Sequence, residues 1–161
     1  MSFLVPDLRA YLRGTWAVER DLLDRASGAR GTFAGVVVFE ETDDGAALRQ
    51  REEGTVRWGT HEGPATREYV WRPSRSPDAM DVFFPDGRFF HTVRLRQPSG
   101  SGSGTHSGTA PDWQAEHWCD PDDYRVTYTA AGPDELRYTW DVTGPTKDLL
   151  LTTVLRRTLP R

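Results

Sequence analysis

His117 and Cys119 stand two residues apart in a segment, Trp113–Cys119, that alternates like a strand, so both point to one face. Tyr124, Val126 and Tyr128 share a face of the segment that follows. A histidine buried beside phenols can give or take a proton, which makes His117 the candidate acid/base. Tyr124 with Arg67 is the candidate pair for polarising a carbonyl. Cys119 acts as a nucleophile only with a lowered pKa, and His117 is the one group placed to lower it. The plainer reading gives His117 a hydrogen bond within the wall and makes Cys119 a small buried hydrophobe.

Arg67, Tyr69 and Trp71 alternate onto one face, as do Trp16, Val18 and Arg20. Cation and phenol among aromatic rings suit a flat apolar ligand with a carboxylate, enol or carbonyl end. Patterning puts Tyr69 and Trp71 inward, because the opposite set, Glu68, Val70 and Arg72, is more polar. In Phe89-Phe90-His91, period two sends either Phe90 or His91 to the interior, not both. Glu52 shares a face with Gln50 and Gly54; it is a candidate base, but the rarity of buried Glu favours a solvated position. Lys147 stands at a rim. No HxH or HExxH spacing supports a metal site, and no dinucleotide or phosphate-loop fingerprint appears.

The elements that must position these residues are short and alternating. A helix is expected over residues 6–12, with Pro6 at its start, Leu8, Tyr11 and Leu12 on one face, and Gly14 behind it. Strands are expected over 16–23, 32–41, 47–58, 66–72, 80–84, 88–97, 113–119, 124–130, 136–142 and 147–158, with turns such as Asp43-Asp44-Gly45 and Pro85-Asp86-Gly87 between them. Residues 59–64 read as a loop. Residues 98–112 are rich in Gly and Ser, the composition of a flexible loop. About ten strands joined by hairpins favour one closed, all-β, up-and-down antiparallel barrel over residues 1–161, because closure removes the sheet edges.

The chain has 161 residues, room for one domain. Its 6 Trp, 5 Tyr and 7 Phe supply the bulk that a 37% apolar content lacks, so a folded core is expected rather than disorder. With 20 Lys+Arg against 24 Asp+Glu the net charge is -4, which argues against a nucleic-acid partner. No polybasic run and no stretch of ~20 apolar residues points to a membrane. A single cysteine excludes an internal disulfide. The expected location is cytoplasmic; a homodimer is left open.

Gly14-Thr15-Trp16 opening the first strand after a short helix, with Arg157 (or Arg156) near the end of the last, resembles the calycin superfamily of lipocalins and fatty-acid-binding proteins. That resemblance implies that Trp16 closes the barrel floor and that the last-strand arginine packs across it; a guanidinium there can stack on the indole and bond helix carbonyls. The chain is also similar to a family of uncharacterised, mainly actinobacterial proteins of this length. Arg67-Glu68-Tyr69-Val70-Trp71-Arg72, Asp86-Gly87-Arg88-Phe89-Phe90-His91, residues 115–124 from Ala115-Glu116-His117 to Tyr124, and Gly144-Pro145-Thr146-Lys147-Asp148 carry that likeness, which implies the fold and no activity. Nitrobindin-like haem barrels are similar in size and plan, but they hold iron through a histidine near the C-terminus. Residues 149–161 contain none, so no haem or other cofactor is expected.

The reading that results is a barrel holding a small, mostly apolar ligand with a polar end. Its lining is Tyr69, Trp71, His91, His117, Cys119, Tyr124, Tyr128 and Trp140, with Arg20 or Arg67 for the polar end. One alternative is a cofactor-independent cyclase, isomerase or dehydratase using His117, Tyr124 and Arg67. The other is a packed-core interaction protein.

Overall fold

A computed structural model describes residues 3–95, 113–119 and 121–158. The loop expected at 98–112 lies outside them. After the helix α1 (Leu8–Leu12) come ten strands: β1 (Gly14–Asp24), β2 (Arg30–Glu41), β3 (Leu48–Trp58), β4 (His61–Pro73), β5 (Ala79–Phe83), β6 (Phe89–Arg94), β7 (Trp113–Cys119), β8 (Asp122–Gly132), β9 (Glu135–Thr143) and β10 (Asp148–Arg157). Every ladder is antiparallel, and the sheet order is β6-β5-β4-β3-β2-β1-β10-β9-β8-β7. The sheet curls into a nearly closed barrel. β6 and β7 approach each other across the seam, and no hydrogen-bonded ladder joins them among the described residues.

The helix begins two residues later than Pro6 suggested, because Asp7 caps it by accepting from the Ala10 N–H at 3.0 Å. Its Leu8, Tyr11 and Leu12 are buried against one end of the barrel. Trp16 fills that end, and its Nε1 donates to the Leu12 carbonyl at 2.8 Å. The Arg157 guanidinium lies 4.1 Å from the Trp16 ring centroid and donates to the Tyr11 carbonyl at 2.7 Å and the Arg13 carbonyl at 3.1 Å. Gly14, at φ +124, makes the bend that brings the strand in under the helix.

Three local departures from the expected pattern shape the opposite, open end. Residues 59–64 are not a loop. Gly59 at φ +61 lets the chain reverse in two residues, and the β3–β4 ladder runs out to Trp58↔His61. Pro64 sits inside β4, where it is tolerated because β5 pairs only with Val70 to Pro73, so that stretch of β4 is an edge. β5 and β6 are short because the turn at Pro85-Asp86-Gly87, with Gly87 at φ +91, ends the hairpin early. The wall is therefore low at β5–β6, and β4 from His61 to Tyr69 borders a notch. Finally, the β5–β6 register shifts at Val82/Phe83, pairing Val82 with His91 and Phe83 with Phe89. This bulge turns both Phe90 and His91 inward, where strict alternation allowed one.

Burial grades along the barrel. Inner-face residues toward the helix end, such as Val18, Val37, Leu48, Val82 and Leu155, are buried almost completely. Toward the open end Leu22, Val56, Ala65, Tyr69, Leu149 and Leu151 are only half-buried. The lower half is a packed plug and the upper half a cup.

Candidate functional site

The floor of the cup is an ionic cluster. Arg20 on β1 reaches across β2 to Glu52 on β3 and binds it bidentately, Nη1 to Oε1 at 2.7 Å and Nη2 to Oε2 at 2.9 Å. Its Nε donates to Thr153 Oγ1 at 2.7 Å, and Nη2 also donates to the Tyr138 hydroxyl at 3.0 Å. Glycine makes this span passable. Gly35 and Gly54 face each other in the β2–β3 register, and a Cβ on Gly54 would lie 2.7 Å from the Phe33 ring. The ring settles into that space, and the Arg20 guanidinium lies over it at 5.2 Å. Burial alone would lower the Arg20 pKa, but Tyr138 and Glu52 hold it above its usual value. Burial likewise opposes ionisation of Glu52, but the Arg20 hydrogen bonds and the charges of Arg67 and Arg20 hold its pKa below the ordinary value.

Arg67 joins from β4, opposite Glu52 in register. Its Nη2 is 3.4 Å from Glu52 Oε1, and its guanidinium is 5.4 Å from the Tyr69 ring centroid. Its Nε is buried with no hydrogen-bond partner, although the side chain as a whole is 30% exposed. Burial works against its charge, and Tyr138, Tyr69 and Glu52 outweigh it, raising the pKa.

Beside this cluster lies a second polar layer. His91 Nε2 is 3.2 Å from the Tyr128 hydroxyl, and the Trp71 Nε1–H donates to Gln50 at 2.8 Å. Burial, with a contribution from the nearby His117, pushes the His91 pKa down to about 3, so the ring is neutral at physiological pH. Burial also raises the Tyr128 hydroxyl well above the usual phenol value. His91 Nδ1 is buried without a partner. A cavity of about 20 Å³ runs between Arg67, Tyr69, His91, Tyr128 and Tyr138, room for one water.

The upper wall is aromatic. Phe84 and Phe90 stack at 4.5 Å, Phe90 stacks on Trp140 at 5.0 Å, and His117 sets its edge against Phe90 at 4.9 Å. Tyr69 meets Phe90 at 5.6 Å, and Tyr124 meets His117 and Trp140 at 6.3 Å. Of these, Tyr69, Phe84, Phe90, His117 and Tyr124 border an open cleft of about 500 Å³ between the β5–β6 turn and the β7–β8 end, a size suited to a small ligand. Tyr69 and Phe90 also line the inner cavity, so they form the partition between the two.

The residues singled out in the sequence thus fall into three places. Arg20 and Arg67 converge on Glu52, with the Tyr69 ring beside the Arg67 guanidinium. Trp71, His91, Tyr128 and Trp140 are buried in the plug and the wall above it. His117 and Tyr124 are half-buried at the cleft, where Phe90 touches both Tyr69 and His117; Cys119 is exposed at the rim rather than buried. Sequence reasoning named Glu52 as a candidate base but favoured a solvated position for it, and the structure corrects that. Glu52 is 2% exposed, because two arginines and the register opposite Arg67 offset its desolvation. Thr153, Tyr138 and Phe84 were passed over; Tyr138 shares its strand face with Leu136 and Trp140, a pattern that could have found it.

The fold and this cup define a ten-stranded, nearly closed antiparallel barrel with one short helix and an opening at one end. A family profile described as "Family of unknown function (DUF6314)" matches residues 12–157, and the chain belongs to that family. No curated protein matches it significantly. Among solved structures it is similar to the S-type phycobiliprotein lyase CPES from Guillardia theta, with a TM-score of 0.63 at 10% identity, covering 95% of this chain and 92% of that one. It is also similar to Rv2717c from M. tuberculosis, with a TM-score of 0.57 at 17% identity, covering 98% of this chain and all of that one. At these identities the likeness is one of fold. No helix among the described residues is long and apolar enough to cross a membrane.

Proposed function

We propose that this protein binds a small, mostly apolar ligand with a polar end in the cup, entering at the notch beside β5 and β6. The observation that carries the reading is the half-exposed aromatic lining set directly above a buried ionic cluster. A core built only for packing gains little from a buried ion cluster, since well-packed apolar residues are often as stable or more so. The plug below leaves no room for more than a water, so the ligand sits in the cup with Tyr69, Phe84, Phe90, His117 and Tyr124 around it. The similarity to a barrel named as a phycobiliprotein lyase, and the calycin-like closure by Trp16 and Arg157, fit such a pocket.

The test is native mass spectrometry of the purified protein beside the same sample denatured, with titration of the neutral dye N-phenyl-1-naphthylamine on the ligand-free protein. A mass excess lost on denaturation, or dye fluorescence saturating at micromolar concentration, supports the reading. No excess together with no dye binding overturns it in favour of a packed interaction barrel.

A further inference from the structure

We infer that the polar end of the ligand is an anion, a carboxylate or a group of like charge and shape, and that Arg67 holds it. This deepens the ligand-binding reading and rests on it. The argument is one of charge and donor count. The cluster carries two guanidiniums and one carboxylate. Both oxygens of Glu52 are already taken by Arg20, at 2.7 and 2.9 Å, whereas Arg67 stands off at 3.4 Å. No other carboxylate among the described residues compensates it. Asp24 and Asp122 have the inward alternation but lie at the rim, where Asp24 bonds Ser27 and Asp122 pairs with Lys147 at 3.1 Å.

Arg67 is thus a surplus cation inside a barrel whose net charge is -4. A guanidinium offers five donors in a planar fork. The Nε of this one has no acceptor, and its Nη2 comes no nearer to Glu52 Oε1 than 3.4 Å. The side chain lies on the stretch of β4 that β5 leaves uncovered and is 30% exposed; it lines the inner cavity, behind Tyr69 and Phe90, which border both that cavity and the cleft. Tyr69, beside the guanidinium and in contact with Phe84 and Phe90, ties the charged end to the aromatic wall. An anion of single charge neutralises the cluster; a cation meets two like charges at the floor.

Two dyes with one apolar body separate charge from shape. 1-Anilinonaphthalene-8-sulfonate carries a sulfonate that N-phenyl-1-naphthylamine lacks. On the full protein at low salt the anionic dye is expected to bind at least tenfold more tightly. Arg67→Gln should erase that preference while changing the affinity for the neutral dye by less than about threefold, with the fold checked by circular dichroism. Equal or weaker binding of the anionic dye to the wild type, which needs no variant, overturns the inference and leaves the pocket standing. An anion preference that survives in Arg67→Gln also overturns it. Failure of both dyes to bind removes the pocket itself.

Discussion

Glu52 and His91 are buried titratable groups with opposite roles. Glu52 is held ionised by two arginines, so replacing it strands both cations. Glu52→Gln is expected to cost about 3–5 kcal/mol at pH 7, whereas Arg67→Gln, which removes the surplus charge, should cost far less. Urea denaturation of the two variants checks this, and equal losses would refute the charge count. The Glu52 pKa is depressed in the fold, so its contribution is present above the unfolded value and fades as the pH falls through the folded one. His91 is held neutral, with a folded pKa of about 3 against an ordinary 6.5. Between those values the unfolded chain binds a proton that the folded chain does not. Stability should therefore fall by about 1.4 kcal/mol per pH unit below 6.5 on this account. Relative to pH 7, wild type at pH 5 should lose about 2 kcal/mol more than His91→Gln does. Parallel pH profiles for the two proteins would show that His91 is not the group responsible. Neither residue's burial was fully legible in the sequence. A carboxylate reads as surface until its partners are known, and those partners, Arg20 and Arg67, lie 32 and 15 positions away; the first separation is spanned by a bidentate hydrogen bond.

Strands and turns were more legible than site residues, because turn chemistry is local. Asp43-Asp44-Gly45 and Pro85-Asp86-Gly87 mark reversals that the backbone makes, with Gly45 and Gly87 at positive φ. What escaped was register. The bulge at Val82/Phe83 depends on how β5 meets β6, and no residue type announces it. The facing pair Gly35 and Gly54 shows the same limit from the other side. A Cβ on Gly54 would lie 2.3 Å from the Ala34 carbonyl and 2.8 Å from the Gly35 Cα, so β2 and β3 can run this close only without side chains there. Gly54→Ala should therefore destabilise the barrel by about 2 kcal/mol or more, well above the usual range for a surface change. A loss under 0.5 kcal/mol in a denaturant melt would mean that the strands part easily. At the closed end, Arg157→Met removes donors to the Tyr11 and Arg13 carbonyls. It should cost about 2 kcal/mol and speed amide exchange in Leu8–Leu12 selectively. Unchanged exchange there would mean that packing of Leu8 and Leu12 alone holds the helix.

At the scale of the whole molecule, the strand order places β1 and β10 side by side in the middle of the sheet, in a nine-residue register from Trp16↔Arg157 to Asp24↔Leu149. The two edges, β6 and β7, are neighbours in sequence. This follows from hairpin connections alone, which is why the barrel was foreseeable from turn spacing while its seam was not. A break in the chain between Leu95 and Trp113 severs no strand-to-strand ladder among the described residues, since none crosses there. The barrel is in that sense already two complementary pieces, one of six strands and one of four. Their join includes the β1–β10 ladder, the bonds from Arg20 to Thr153 and Tyr138, the His91–Tyr128 contact, the stacking of Phe90 on Trp140 and the grip of Arg157 on the helix. Expressed separately, the two pieces should find each other and rebuild the cup, and bringing them together on two tethered partners would turn ligand binding into a readout of proximity.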